Sequence, residues 1–197
     1  MRFLRELMLA FGLWAATLPG AFAADLVRTV TELDQLPPPV ASPKAPTDPN
    51  MLFYLQRSSN ANTIVYAANL IKPGQYDTRK PLDIFWRRYA DNGERRDLNF
   101  IQRSMAYGAT PIAVSGRPNA FDAHIVSLPE VPFRLSIDES GNPEAIVQMG
   151  ERRAKLAFAY VKVDESGFIP KLIFLDVYGI DKATGHALHE HVEPAKK

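Results

Sequence analysis

The chain has 197 residues, 46% of them hydrophobic and 23% charged, which is the composition of one ordinary globular domain and excludes a disordered or fibrous chain. Its 23 Lys and Arg against 22 Asp and Glu leave no excess of either sign for wrapping nucleic acid or coating an anionic surface. Cysteine is absent, which excludes disulfides, thiol catalysis, thiolate metal sites and lipid attachment through cysteine.

The first 23 residues have the three-part layout of a secretory signal. Arg2 and Arg5 give a charged start, Leu7 to Leu18 is an apolar run, and Pro19-Gly20 breaks it before Ala21-Phe22-Ala23, a small-x-small cleavage site. As a helix that run reaches only about 18 Å, short of a hydrocarbon core of ~30 Å, so it reads as a cleaved leader and not as an anchor. Cleavage after Ala23 removes Arg2, Arg5 and Glu6 and leaves a formally neutral chain with no further segment long enough to span a bilayer. The location this predicts is periplasmic or secreted.

Residues 24–49 read as a proline-rich linker. Pro37, Pro38, Pro39, Pro43, Pro46 and Pro49 fall among few large apolar side chains, and proline at that density cannot feed a hydrogen-bond ladder and favours polyproline II. The pattern predicts a stiff, solvated spacer, with folded structure beginning near Asn50 and a single domain over residues 50–193.

From Met51 onward the period is mostly two. Met51, Phe53 and Leu55 alternate with Leu52, Tyr54 and Gln56, while Thr63 to Leu70 contains Ile64, Val65 and Tyr66. Polar turn formers at 58–62 lie between the two runs, so a hairpin is predicted. Leu82 to Tyr89 is a third strand, closed by Asp91-Asn92-Gly93. Leu98, Ile101 and Met105 share a face at period 3.6, with Asp97 placed to cap the start and Gly108 placed to leave in the left-handed conformation, which predicts one helix of about ten residues.

Val131, Phe133, Leu135 and Ile137 form the cleanest alternation, and it ends in a turn, Asp138 to Gly141, whose Asp-Glu-Ser-Gly chemistry recurs at Asp164 to Gly167. Ala145, Val147 and Met149 mark one further strand. Ala154, Leu156 and Phe158 mark another, which switches phase to Val161 and Val163 through a bulge near Ala159-Tyr160. Leu172 to Tyr178 is apolar on both sides except for Asp176, as suits a central, doubly covered strand. The sum is a mainly β chain: an antiparallel meander of eight or nine strands, closed as a barrel or split as a sandwich, with one short helix.

Common catalytic signatures are missing: there is no G-x-S-x-G, no phosphate-cradling glycine loop and no H-E-x-x-H. Of the adjacent pair Arg87-Arg88, one shares a strand face with apolar groups and needs a partner, for which Asp83 or Asp176 is available. Arg57 continues the face of Met51, Phe53 and Leu55, and with Asn60, Asn62 and Tyr66 it has the makings of the polar fringe of a small-ligand pocket. The plainer alternative has the two asparagines satisfying the loop backbone and the Arg57 stem packing on aromatic rings. On a strand His189 and His191 share one face about 6–7 Å apart and can place two imidazoles on a zinc or copper ion, the third ligand coming from elsewhere, His124 for example. Against that stands a polar, exposed terminal strand carrying His186 as well, and the reading assigns no metal and no cofactor.

Several strings carry a family resemblance. Met51 to Tyr66, then Lys80-Pro81 leading to Phe85-Trp86, then Leu98 through Gln102-Arg103 to Ala106-Tyr107-Gly108, and finally Tyr178-Gly179 with Thr184-Gly185 and Glu190, together resemble the bacterial family known as domain of unknown function 4833. The family's Arg-Ser-x-Asn-x-Asn stretch falls on Arg57, Ser58, Asn60 and Asn62, and its Ala-Tyr-Gly on Ala106, Tyr107 and Gly108. The resemblance implies a shared fold over residues 50–193 and no established activity.

Two functions of different class fit these residues. The first is a non-enzymatic module of the cell envelope that binds a small molecule, glycan or peptide, or a partner protein, near Arg57, Asn60, Asn62, Tyr66, Trp86 and Tyr107, where aromatic rings beside a cation suit a sugar, a peptide or an anionic headgroup. The second is a hydrolytic or metal-assisted enzyme using Asp176, His124 or the pair His189 and His191.

Overall fold

A computed structural model describes residues 26–58, 60–164, 166 and 171–194. The predicted leader 1–23 and its predicted cleavage point lie outside these, as do Ser59 of the first turn and Glu165 and Gly167 of the second Asp-Glu-Ser-Gly turn. In chain order the strands are β1 (Leu26–Leu33), β2 (Met51–Arg57), β3 (Asn60–Ala68), β4 (Leu70–Lys72), β5 (Gln75–Tyr76), β6 (Leu82–Arg88) and β7 (Glu94–Asp97). After helix α1 (Phe100–Gln102) and a π-helical turn (Arg103–Tyr107) come β8 (Ile112–Ala113), β9 (Phe121–Ile125), β10 (Leu128–Ile137), β11 (Pro143–Met149), β12 (Arg152–Asp164), β13 (Lys171–Asp181) and β14 (Ala187–Pro194).

The molecule is mainly β with one short helix, but the sheet is mixed and is not a meander. Twelve strands form one sheet, in which the longest path of neighbours runs β7-β6-β3-β2-β12-β11-β10-β9-β8. Its central join, β2 against β12, is parallel, with Tyr54 opposite Phe158 and Arg57 opposite Val161. Beyond β12 the sheet continues through β13 and β14 to β1. The alternation in β2 and β12 is blind to strand direction, so a parallel pair between segments a hundred residues apart left no local mark.

β12 organises the rest. One of its edges is held by β13 from Ala154 to Asp164. The other edge takes β11 over Arg152 to Lys155 and then β2 over Phe158 to Val161. Between these two partners the register slips by one residue, at Ala157. That bulge is the predicted phase switch, two residues earlier than Ala159-Tyr160, and it turns the strand so that Ala154 and Leu156 before it and Ala159 and Val161 after it face the same core while Phe158 is buried on the other face between Tyr54 and Tyr178. Two arms, β2-β3-β6-β7 and β11-β10-β9-β8, thus leave the same edge and fold over one another. Phe53 of β2 fills the space between them, stacked on Tyr66 at 4.4 Å and edge-on to Phe133 of β10 at 5.1 Å.

Three local expectations are corrected. Paired structure begins well before Asn50: Leu26–Leu33 is a strand, antiparallel to β14 over its whole length. The prolines that follow are tied down as well, since the fully buried Gln56 accepts from Val40 N (2.8 Å) and Ala41 N (3.4 Å) and donates to Ser42 Oγ. The helix is one short α turn continued as a π turn, capped by Asn99 in a reciprocal box with Gln102 and not by Asp97. Gly108 leaves it at φ −64° and not in the left-handed region. The predicted hairpin β2-β3 and the turn glycines Gly93 (φ 78°) and Gly141 (φ 83°) are as expected, and β13, expected to be a central, doubly covered strand, is paired on both edges, by β12 and β14, although Ile173 near one end is 43% exposed. No helix of the described residues is long and apolar enough to cross a membrane.

Candidate functional site

The residues first marked for ligand binding divide into two groups. Arg57, Tyr66, Trp86 and Tyr107 do come together: Arg57 Nη1 donates to Tyr107 Oη at 3.4 Å, Tyr66 Oη donates to Tyr107 O at 2.8 Å, and Trp86 meets Tyr107 edge-on at 5.2 Å. Tyr66 is fully buried, and Trp86 and Tyr107 are 7% exposed. Trp86 Nε1 donates to Gln102 Oε1, the same side chain that accepts from Asn99 N at the helix start. Burial, with Tyr107 as a lesser cause, pushes the Tyr66 phenol well above its ordinary value. Asn60 and Asn62 do not join the group. Asn60 Oδ1 accepts from Asn62 N, and Asn62 Oδ1 accepts from Ala90 N. The polar atoms here are spent on holding the π turn and the β6-β7 turn against β3, so the cluster is packed interior with Arg57 at its edge.

Arg87 finds its partner in neither Asp83 nor Asp176 but in Asp48, at the end of the proline-rich segment. Its Nε lies 3.0 Å from both carboxylate oxygens, Nη2 bonds the same carboxylate, and Nη1 donates to Gly93 O. Asp83 pairs with Arg95 and Lys80 instead.

A second polar group lies in a cleft of about 340 Å³ lined chiefly by Arg28, Val30, Val131, Val147, Gln148 and Glu190. Strand alternation explains Glu190. On β14 it stands between Leu188 and Val192, both buried, so its carboxyl takes a core position and is itself 1% exposed. The β1-β14 register puts Val30 directly opposite Glu190 and Arg28 opposite Val192, which brings the Arg28 guanidinium to 3.5 Å from Glu190 Oε2. Arg28 spends its other terminal nitrogen on Glu130 O at 2.6 Å. Glu190 Oε2 accepts no hydrogen bond among the described residues. A carboxylate removed from water is costly unless it is paired, and the Arg28 guanidinium at 3.5 Å is the charge that offsets it here.

On the opposite face of the same strand, Asp176 Oδ1 lies 2.8 Å from His189 Nε2 and 2.7 Å from His191 Nδ1. His124, the suggested third ligand, is on β9 and takes no part. His186 bonds Glu32, which also pairs with Arg152, and these two bonds hold the Glu32 carboxyl below its ordinary value.

Sequence reasoning reached the histidine pair and missed Glu190 as a buried group. The signal was present: Leu188, Glu190 and Val192 are one face of a strand, and a lone acid on an apolar face marks a site or an ion pair. Arg28 carried no such signal, because its strand is exposed over most of its length. A family model described as Domain of unknown function (DUF4833) matches residues 53–191. No curated protein and no solved structure matches the chain.

Proposed function

The chain belongs to the DUF4833 family, a family whose description assigns no activity, and we propose from its own side chains that it is an exported, non-catalytic module that binds a small molecule in the cleft between β1, β10, β11 and β14. The observation that carries this reading is the Glu190 carboxylate, 1% exposed at the wall of an open cleft, with Oε2 ion-paired to Arg28 at 3.5 Å but accepting no hydrogen bond among the described residues. At about 340 Å³ the cleft lies at the lower end of the ~300–1,000 Å³ range of small-molecule sites. Val30, Val131, Pro132 and Val147 offer the apolar wall such sites use, and Gln148, Arg28 and Glu190 the few polar groups that orient a ligand. With Glu130 also in the lining, the cleft sets two acidic side chains against the one cation of Arg28, so the fitting ligand is small, partly apolar, and carries an ammonium or hydroxyl donor for Oε2. Export rests on the leader at residues 1–23. Among the described residues the lining holds no serine, threonine, histidine or lysine, which favours binding over hydrolysis.

Native mass spectrometry of the chain, purified undenatured from exporting cells, tests the reading. The wild type should carry a small-molecule adduct whose occupancy falls at least about tenfold in both Glu190→Gln and Arg28→Ala while the circular dichroism stays that of the parent. A bare wild type, or an adduct that survives both substitutions, overturns it.

A further inference from the structure

The outer face of β14 carries a second arrangement that the cleft does not use. The β13-β14 register sets Asp176 directly opposite His191, with His189 two residues back on the same face, so one carboxylate stands between two imidazoles. We propose that Asp176, His189 and His191 bind a divalent transition-metal ion, zinc or copper, through Asp176 Oδ1, His189 Nε2 and His191 Nδ1. These three atoms all lie within 4.8 Å of one another. An ion about 2.0–2.1 Å from each donor needs donors some 3.3 Å apart, so the two histidine–aspartate contacts have to open by about half an ångström while the two imidazole nitrogens, which lie within 4.8 Å of each other, turn toward the ion.

The rings are held ready for this. His189 stacks on Tyr178 at 4.6 Å and 9°, at the end of a row of stacked rings that continues through Phe158 to Tyr54 across four strands. His191 packs against Phe174 at 5.1 Å. Metal binding through Nδ1 leaves the His191 proton on Nε2, and Glu193 Oε2 stands 3.9 Å from that nitrogen, beyond hydrogen-bond reach but close enough for its negative charge to favour the proton there. Two imidazoles and one carboxylate suit zinc or copper and not calcium or magnesium, which require oxygen donors. The side chains of Asp176, His189 and His191 keep 13%, 24% and 36% of their surface, so the remaining coordination positions open to solvent.

Zinc chloride titrated calorimetrically into the full chain, purified without a polyhistidine tag, is the probe. One zinc should bind per chain. The affinity should fall at least about tenfold in His189→Gln and in His191→Gln, and stay unchanged in the control His124→Gln/His186→Gln. A readout on the wild type alone guards against variants that do not fold: imidazole nitrogen resonances should report coordination of His189 through Nε2 and of His191 through Nδ1. Absence of stoichiometric zinc binding, equal affinity in the two single variants, or zinc that leaves both nitrogens unperturbed would overturn the proposal.

Discussion

Gly108 illustrates how a residue can be necessary for a reason its sequence context misstates. Its place after a helical period suggests a left-handed exit, yet its φ is ordinary and what it supplies is room. A Cβ there would stand 1.8 Å from Arg103 O and 2.8 Å from Arg103 C, backbone atoms of the π turn that closes on it. Gly179 serves the same end, with a Cβ meeting Lys155 O at 2.9 Å and Ala154 Cβ at 3.0 Å across the β12-β13 pair. Because no flexible side chain can give way at Gly108, Gly108→Ala should cost about 1–3 kcal/mol or more, read as a lower urea midpoint, and should unpack Tyr107 from Trp86, read as a shift in tryptophan emission. An unchanged midpoint would mean the π turn is not rigid. The turn glycines were legible because Asn-Gly and Ser-Gly chemistry is local. The role of Gly108 was not, since it depends on how the chain coils five residues earlier.

Among elements, β1 and β7 were passed over for want of apolar alternation, and β9 was passed over although it has it. β7 is Glu-Arg-Arg-Asp, exposed throughout, and β1 is half polar, as edge strands commonly are. β9 alternates buried Phe121, Ala123 and Ile125 with exposed Asp122 and His124, and that signal was available. The segment after β1 was read from its prolines alone, and it is the buried amide of Gln56 and the Asp48–Arg87 pair that hold it to β2 and β6. Gln56→Ala leaves the Val40 and Ala41 amides without their acceptor and should cost about 1–3 kcal/mol. Limited trypsin digestion followed by mass spectrometry should then find cleavage at Lys44 much faster than in the parent. Equal rates at Lys44 would show that this contact does not hold the segment.

For the whole molecule, the curled sheet buries aromatic side chains on both faces, and the alkaline limb of stability records it. Burial is the first cause raising the phenol pKa of six of the seven tyrosines, with Tyr54 pushed up to about 12 and Tyr66 and Tyr76 held well above their ordinary value. A phenol whose folded pKa exceeds its unfolded value of 10.0 stabilises the fold fully below pH 10 and loses that contribution as pH rises toward the folded pKa. Between pH 10 and about 12 the phenolate absorbance should therefore appear in one cooperative step, together with loss of the far-ultraviolet β signal. Phenols titrating gradually near 10 in a chain that keeps its β spectrum would contradict the burial described here.

What the sequence by itself determined is whatever repeats within a strand: the β content, the β2-β3 hairpin, the phase switch in β12 and the shared face of His189 and His191. All of these follow from a side-chain period of two, which neighbouring residues are enough to define. Only the tertiary structure decided that β2 lies parallel to β12, that Asp176 stands between the two histidines, that Glu190 is buried opposite Val30 and that the prolines are clamped by Gln56 and Arg87. Each of those depends on the register between segments distant in the chain, and register is set by the summed packing of both partners, which no single stretch of residues contains.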